Sequence, residues 1–183
     1  RTGTSGSDTG ALASSAVADT ETVQNPGEIQ LQSLEGTSRP VSEWLTTFHM
    51  AAVVLDPFTH ESSWILDTAR RVLDAFSGAD VRVAFVISGT GSDGAARFMG
   101  PLAESTLCLA DPDRGFAQSL GLTTLPAFVA IRHDGSTIGT AEGWNPEAWR
   151  KVASDLAELT AWTRPEIPVA ADPAPYAGTP ATS

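Results

Sequence analysis

The chain has 183 residues, 42% of them hydrophobic and 18% charged, enough for one packed domain with tails. Twenty-two acidic against eleven basic side chains give a net charge of -11, which repels phosphate backbones and anionic lipid and so excludes nucleic acid and membrane surfaces as expected partners. The single cysteine, Cys108, cannot close an internal disulfide, and no run approaches the roughly eighteen apolar residues a membrane helix needs. The chain starts at Arg1 rather than methionine, which is what a missing or processed N-terminal segment would leave. No signal peptide is visible, and the expected compartment is the cytoplasm.

Residues 1–27 are rich in Gly, Ser, Thr and Ala without hydrophobic period and read as a disordered tail. The expected domain spans 28–164. Ile29 and Leu31 alternate with polar residues before a Glu35-Gly36 turn, and 41–48 reads as a short helical lead-in. Ala51, Ala52, Val53, Val54 and Leu55 form an apolar strand that breaks at Asp56-Pro57. A helix follows, with Ser62 or Ser63 expected to cap it and Ile65, Ala69, Val72 and Phe76 on one face. Gly78 ends that helix. Residues 81–87 are nearly continuous in apolar and β-branched types, as in a strand buried on both sides, which makes one βαβ unit with a parallel crossover.

A helical stretch over 93–103 is broken at Gly100-Pro101, and 106–110 reads as a short strand holding Cys108. Asp111-Pro112-Asp113 is expected to open a helix that Gly121 closes. Residues 126–131 and 137–141 flank His133-Asp134-Gly135-Ser136, a hairpin turn. Asn145-Pro146-Glu147 starts a long helix whose apolar side carries Trp149, Val152, Ala153, Leu156 and Leu159. From 165 to 183 the chain is proline-rich and reads as an extended tail, with Ile167, Val169 and Tyr176 laid on the domain.

This succession resembles the thioredoxin superfamily, most of all its TlpA-type and peroxiredoxin branch. The resemblance rests on the strand-corner-helix over 53–76, the inserted 106–121 segment, Leu122-Thr123-Thr124-Leu125-Pro126-Ala127-Phe128, and the Asp134-Gly135 hairpin before Gly143 and the last helix. It implies an α/β three-layer sandwich, a mixed sheet flanked by helices. It also implies that Leu125-Pro126 is the family's cis-proline step, which lies beside the cysteine corner and exposes backbone groups to an extended peptide. At that corner the two C-x-x-C positions hold Thr59 and Ser62; in the peroxiredoxin alignment Phe58-Thr59-x-x-Ser62 puts Ser62 at the peroxide-reducing position, although Pro57 stands only two residues before Thr59.

Neither alignment leaves a thiol, and a serine hydroxyl stays protonated where a helix start would bring a cysteine pKa from about 8.5 toward neutrality. Dithiol exchange and peroxide reduction are therefore not expected, and no catalytic residue is assigned. His60 and Glu61 beside Ser62 suggest a nucleophile, but successive side chains at a helix start diverge and no Gly-x-Ser-x-Gly is present. They are expected to be solvated loop residues. Gly89-x-Gly91-x-x-Gly94 has the spacing of a dinucleotide fingerprint, yet Asp93 would face the pyrophosphate and Gly100-Pro101 breaks the helix; a flexible loop is expected. Cys108 sits in an alternating strand without a neighbouring cation and reads as a packed core residue. His49, His60 and His133 are widely separated in the sequence and lack ligand spacing, so no metal or cofactor is expected. Trp144 and Trp149 flank the last helix start and read as packing residues, with an exposed Trp144 able to anchor a partner.

The reading that follows is a redox-inactive thioredoxin-like module that binds an unidentified protein or peptide. Its expected groove is formed by Phe58, Thr59, His60, Glu61 and Ser62 with Thr124, Leu125 and Pro126. The alternatives are an oxidoreductase using Cys108 as a single thiol, and nucleotide binding at the Gly89 to Gly94 loop.

Overall fold

The computed structural model describes residue 3 and residues 24–181. Most of the stretch 1–27, expected to be disordered, lies outside the described residues. Within 24–28 a 3-10 turn, Pro26–Glu28, packs Pro26 and Gly27 against the domain.

Seven strands form a mixed sheet: β1 (Gln30–Ser33), β2 (Ser38–Pro40), β3 (His49–Leu55), β4 (Val81–Ser88), β5 (Leu107–Asp111), β7 (Ala127–Ile131) and β8 (Thr137–Glu142), in the order β2-β1-β5-β4-β3-β7-β8. β6 (Thr124–Leu125) and β9 (Thr179–Pro180) make a separate two-stranded sheet. The helices are α1 (Val41–Leu45), α2 (His60–Trp64), α3 (Leu66–Asp74), α4 (Ser92–Met99), α5 (Gly115–Ser119) and α6 (Pro146–Thr160). β3 and β4 pair in parallel from His49↔Val81 to Leu55↔Ile87, while β7 pairs antiparallel to β3 and β8 to β7. The crossover that this parallel pairing requires is made by α2 and α3.

The two-residue period of β3 sorts its side chains by face. Ala51, Val53 and Leu55 join Ile65, Ala69, Val72, Phe85, Phe128, Trp149 and Leu156 in one cluster, under α3, α4 and α6. Met50, Ala52 and Val54 join Val41, Leu45, Val86, Phe116 and Val129 in the other, under α1 and α5. Helices thus cover both faces, which is why β3, β4 and β7 are apolar almost throughout. Burial of each Val, Leu or Phe in such clusters stabilises the fold by roughly 1.5 to 3 kcal/mol.

Ile65, Ala69, Val72 and Phe76 are all fully buried, but α2 and α3 are separate helices meeting at Ile65. Leu159, expected on the apolar side of α6, is 42% exposed. The buried face of that helix runs through Trp149, Val152, Ala153, Leu156 and Ala157, and at 3.6 residues per turn position 159 falls at its rim. The 111–113 segment does not itself open α5. It forms a turn ending at Arg114, in the left-handed region with φ 59°, and the helix begins at Gly115.

The proline-rich C-terminal segment crosses from one face of the sheet to the other. Ile167 belongs to the α6-side cluster and Ala181 to the opposite one. Its fixed point is Asp172, whose carboxylate is 4% exposed and takes hydrogen bonds from Arg71 Nη2 at 2.7 Å, Thr68 Oγ1 at 2.8 Å and Val169 N at 2.8 Å. Arg71 Nη1 also donates to Glu166 O at 2.6 Å. Arg71→Ala leaves that carboxylate buried without its cation, and we expect a loss of about 3 kcal/mol, low in the usual range because the guanidinium is one-third exposed. Urea unfolding checks this: an unchanged midpoint would contradict the assignment.

Candidate functional site

β3 ends at Leu55 and the chain turns through Asp56 and Pro57. The buried backbone N–H of Asp56 needs an acceptor, and Ser62 Oγ supplies it at 2.8 Å. Asp56 Oδ1 in turn accepts from Phe58 N at 2.9 Å. Ser62 is therefore fully buried beneath the corner, holding the end of the strand, and it does not cap the helix as the sequence led us to expect. Ser63 does not cap it either, since its hydroxyl donates to His60 O at 2.7 Å within the helix. The residue preceding α2 is Thr59, in an extended conformation. Phe58 and Trp64 project outward, 72% and 57% exposed, and His60 is exposed between them.

Across from this corner lies the loop before Pro126. The Leu125-Pro126 peptide bond is cis, and Pro126 O accepts from Gly143 N at 2.7 Å. Upstream, one oxygen of the Glu142 carboxylate accepts from Thr123 N, from Thr123 Oγ1 at 3.0 Å and from Thr124 N at 3.0 Å. Nothing in the sequence pointed to Glu142, because it acts through a loop 18 residues away.

The groove between corner and loop holds the chain's own C-terminal segment. β9 lies antiparallel to β6, with Leu125 opposite Thr179 and Thr124 opposite Pro180. Ala181 N donates to Thr123 O at 2.9 Å. The Thr179 hydroxyl stands 3.4 Å from Leu125 O and 3.5 Å from Thr59 Oγ1, so one atom joins the loop to the corner. Further back, Trp144 and Tyr176 exchange backbone hydrogen bonds at 2.9 and 3.1 Å. Tyr176 O–H donates to Glu61 O at 2.6 Å, and its ring meets Trp64 edge to face at 5.7 Å. Burial, and then the charge of Glu61, push the Tyr176 phenol pKa up.

Of the residues expected to form the groove, Thr59, Glu61 (through its carbonyl), Thr124 and Leu125 meet this segment. Ser62 lies beneath it. Trp144 is fully buried, its indole N–H donating to Pro173 O at 2.7 Å, so it anchors the chain's own segment rather than standing exposed.

The Gly89 to Gly94 loop has a structural use. Arg114 lies across Gly89, its Nη2 only 2.8 Å from where a Cβ would stand, and Arg114 Nη1 donates to Ala181 O at 2.7 Å. Arg114 is held in place by α5, whose Phe116 and Ala117 N–H groups donate to Asp111 Oδ2 at 2.9 and 3.4 Å. Burial pushes the Asp111 carboxyl up to about 6 against the opposing pull of those hydrogen bonds. Cys108 is buried, its Sγ 3.3 Å from Thr106 O, and burial pushes its thiol up to about 11. His49 and His133, far apart in sequence, do meet: His133 N donates to His49 Nδ1 at 3.1 Å and their rings are 5.2 Å apart. Among the described residues no three metal-ligating side chains come together, and no helix is long and apolar enough to cross a membrane.

No protein-family model matches the sequence, and neither does any curated protein. Solved structures do match. A secreted Mycobacterium tuberculosis disulfide oxidoreductase homologous to E. coli DsbE aligns with TM-score 0.53 and 16% identity over 72% of this chain and 96% of its own. The exposed lipoprotein thioredoxin Etrx1 of Streptococcus pneumoniae aligns with TM-score 0.55 and 13% identity over 73% and 97%. A hypothetical protein from Sinorhizobium meliloti 1021 aligns with TM-score 0.61 and 12% identity over 86% and 92%. The fold is thioredoxin-like. With one cysteine, buried in β5, this thioredoxin-like chain has no Cys-x-x-Cys pair.

The native Asp111 carboxyl keeps its proton to about pH 6, whereas the unfolded one loses it near 3.8. The native state therefore binds more protons in between, and stability from this group falls as pH rises from 4 to 6, by on the order of 2 to 3 kcal/mol. Denaturation of the native protein and of Asp111→Asn across that window checks it. The native protein should lose stability relative to the variant as pH rises; parallel curves would contradict the assignment.

Proposed function

We propose that this chain is a redox-inactive thioredoxin-like module that recognises an extended segment of a protein. The corner from Phe58 to Ser62 and the loop from Thr124 to Pro126 form its groove. The observation that carries the reading is the antiparallel pairing of Thr179 and Pro180 with Leu125 and Thr124, beside Thr59. Groups that take an extended strand by main-chain hydrogen bonding are suited to peptide recognition by strand addition.

The absence of sulfur from the groove supports the redox-inactive part of the reading. Thiol chemistry needs a thiolate, and Thr59 and Ser62 offer hydroxyls. Cys108, buried and with its thiol raised to about 11, is poorly placed to serve as a single-thiol centre. A nucleotide at Gly89 would meet a space already filled by the Arg114 side chain, whose guanidinium is engaged with Ala181 O.

The native protein and Cys108→Ser are to be assayed with hydrogen peroxide and with a protein disulfide plus external reductant. Both should turn over at the rate of the reagents alone. Turnover by the native protein that Cys108→Ser abolishes would overturn the redox-inactive reading. A protein partner captured through the groove should in addition be lost on Phe58→Ala or Thr124→Ala; retention by both variants would place recognition elsewhere.

A further inference from the structure

We infer that residues 178–181 are a resident copy of the groove's ligand: the groove selects an extended peptide of the pattern Gly-Thr/Ser-x-Ala, and a peptide from another molecule binds only where the resident strand has left. This rests on the recognition reading above and specifies its ligand.

Each position of the pattern follows from what surrounds it. Gly178 has φ 86°, and a Cβ there would stand 2.7 Å from Leu125 O and 3.2 Å from Gly143 Cα, so the loop and the exit of β8 close on the strand too tightly for any side chain. At 179 a hydroxyl reaches both Leu125 O and Thr59 Oγ1; Ser carries the same group, whereas an apolar residue would leave those acceptors facing carbon. Position 180 is exposed and stands opposite Thr124, and the pattern leaves it unspecified. Ala181 is fully buried within the cluster under α5, with its N–H on Thr123 O and its carbonyl on Arg114 Nη1. A small apolar residue fits that position, and a charged one would be desolvated there.

The resident strand is separable from the domain that holds it. β9 pairs with β6 outside the seven-stranded sheet, and the segment is fixed independently upstream by Asp172, by Trp144 Nε1 on Pro173 O and by Arg150 Nε on Ile167 O at 2.8 Å. That tether holds 178–181 beside the groove at a high effective concentration, of order millimolar or above for a short linker. A free peptide therefore meets an occupied groove in the native protein.

The test uses the full chain carrying Gly178→Val, whose branched side chain cannot seat against Leu125 O, and a hexapeptide labelled with fluorescein at its C-terminus, Gly-Thr-Pro-Ala-Thr-Ser, which copies residues 178–183 and leaves the upstream sites to the resident segment. Fluorescence anisotropy should show saturable binding to the variant, tighter than to the native protein by roughly tenfold or more. Replacing the peptide's Gly by Val, or its Ala by Asp, should abolish that binding. Failure of this hexapeptide while others from a panel of extended hexapeptides bind the variant would overturn the pattern and keep the recognition reading; failure of every hexapeptide would overturn both. An Ala181 amide that stays protected from hydrogen exchange in the variant would also overturn the pattern, because Gly178 would then not be required. If Gly178→Val does not fold, Thr179→Val, which takes the hydroxyl away from Leu125 O and Thr59 Oγ1, takes its place: the peptide should again bind the variant more tightly than the native protein, and equal binding would overturn the pattern.

Discussion

The backbone of residues 123–125 has to be satisfied outside the main sheet. Its N–H groups at Thr123 and Thr124 turn to the Glu142 carboxylate, and its carbonyls at Thr123 and Leu125 turn to Ala181 N and to the Thr179 hydroxyl. Leu125 is fully buried, and a buried carbonyl left unpaired costs about 1 to 3 kcal/mol, so this short stretch needs the partner that β9 supplies. β8 reaches it from one side with a side chain. The C-terminal segment reaches it from the other with its own backbone.

Filling that demand from within the chain has consequences along the whole segment. An extended, proline-rich stretch makes few hydrogen bonds to itself, so it must be pinned at intervals by the domain. The pins are spread across the fold: Arg150 at Ile167, Arg71 and Thr68 at Asp172, Trp144 at Pro173, Glu61 at Tyr176 and Arg114 at Ala181. Two of these use a cation on a carbonyl, and one is a buried ion pair whose separation is expensive because either charge alone would be stranded in apolar surroundings. The exposed face beside the segment carries Trp64, edge to face on Tyr176, so aromatic surface adjoins the segment.

Much of the central architecture was legible in the sequence because it is encoded locally. The apolar run of β3, the four-three-four spacing from Ile65 to Phe76, the β-branched run of β4 and the Asp134-Gly135 turn each state their element within a dozen residues. Contacts between distant residues were not legible. Proline-rich composition announces an extended segment, but no periodicity couples Thr179 to Leu125, 54 residues earlier, or Arg71 to Asp172, 101 residues later. The same limit hid the contact between His49 and His133 and the C-terminal segment that Trp144, read as a packing residue and buried as such, holds through its indole N–H. Ser62 was misread for a different reason. Serine at a helix start is usually a cap, and only the fold reveals that the nearest unsatisfied donor was Asp56 N at the end of the strand.

The central claim is that the chain's own strand fills the groove beside Pro126, and site-resolved amide hydrogen exchange on the native protein tests it most directly. The amides of Ala181 and Tyr176, bonded to Thr123 O and Trp144 O, should exchange far more slowly than an unstructured chain, approaching the protection of the β3 amides. Exchange of both at unstructured rates, while β3 remains protected, would contradict the account.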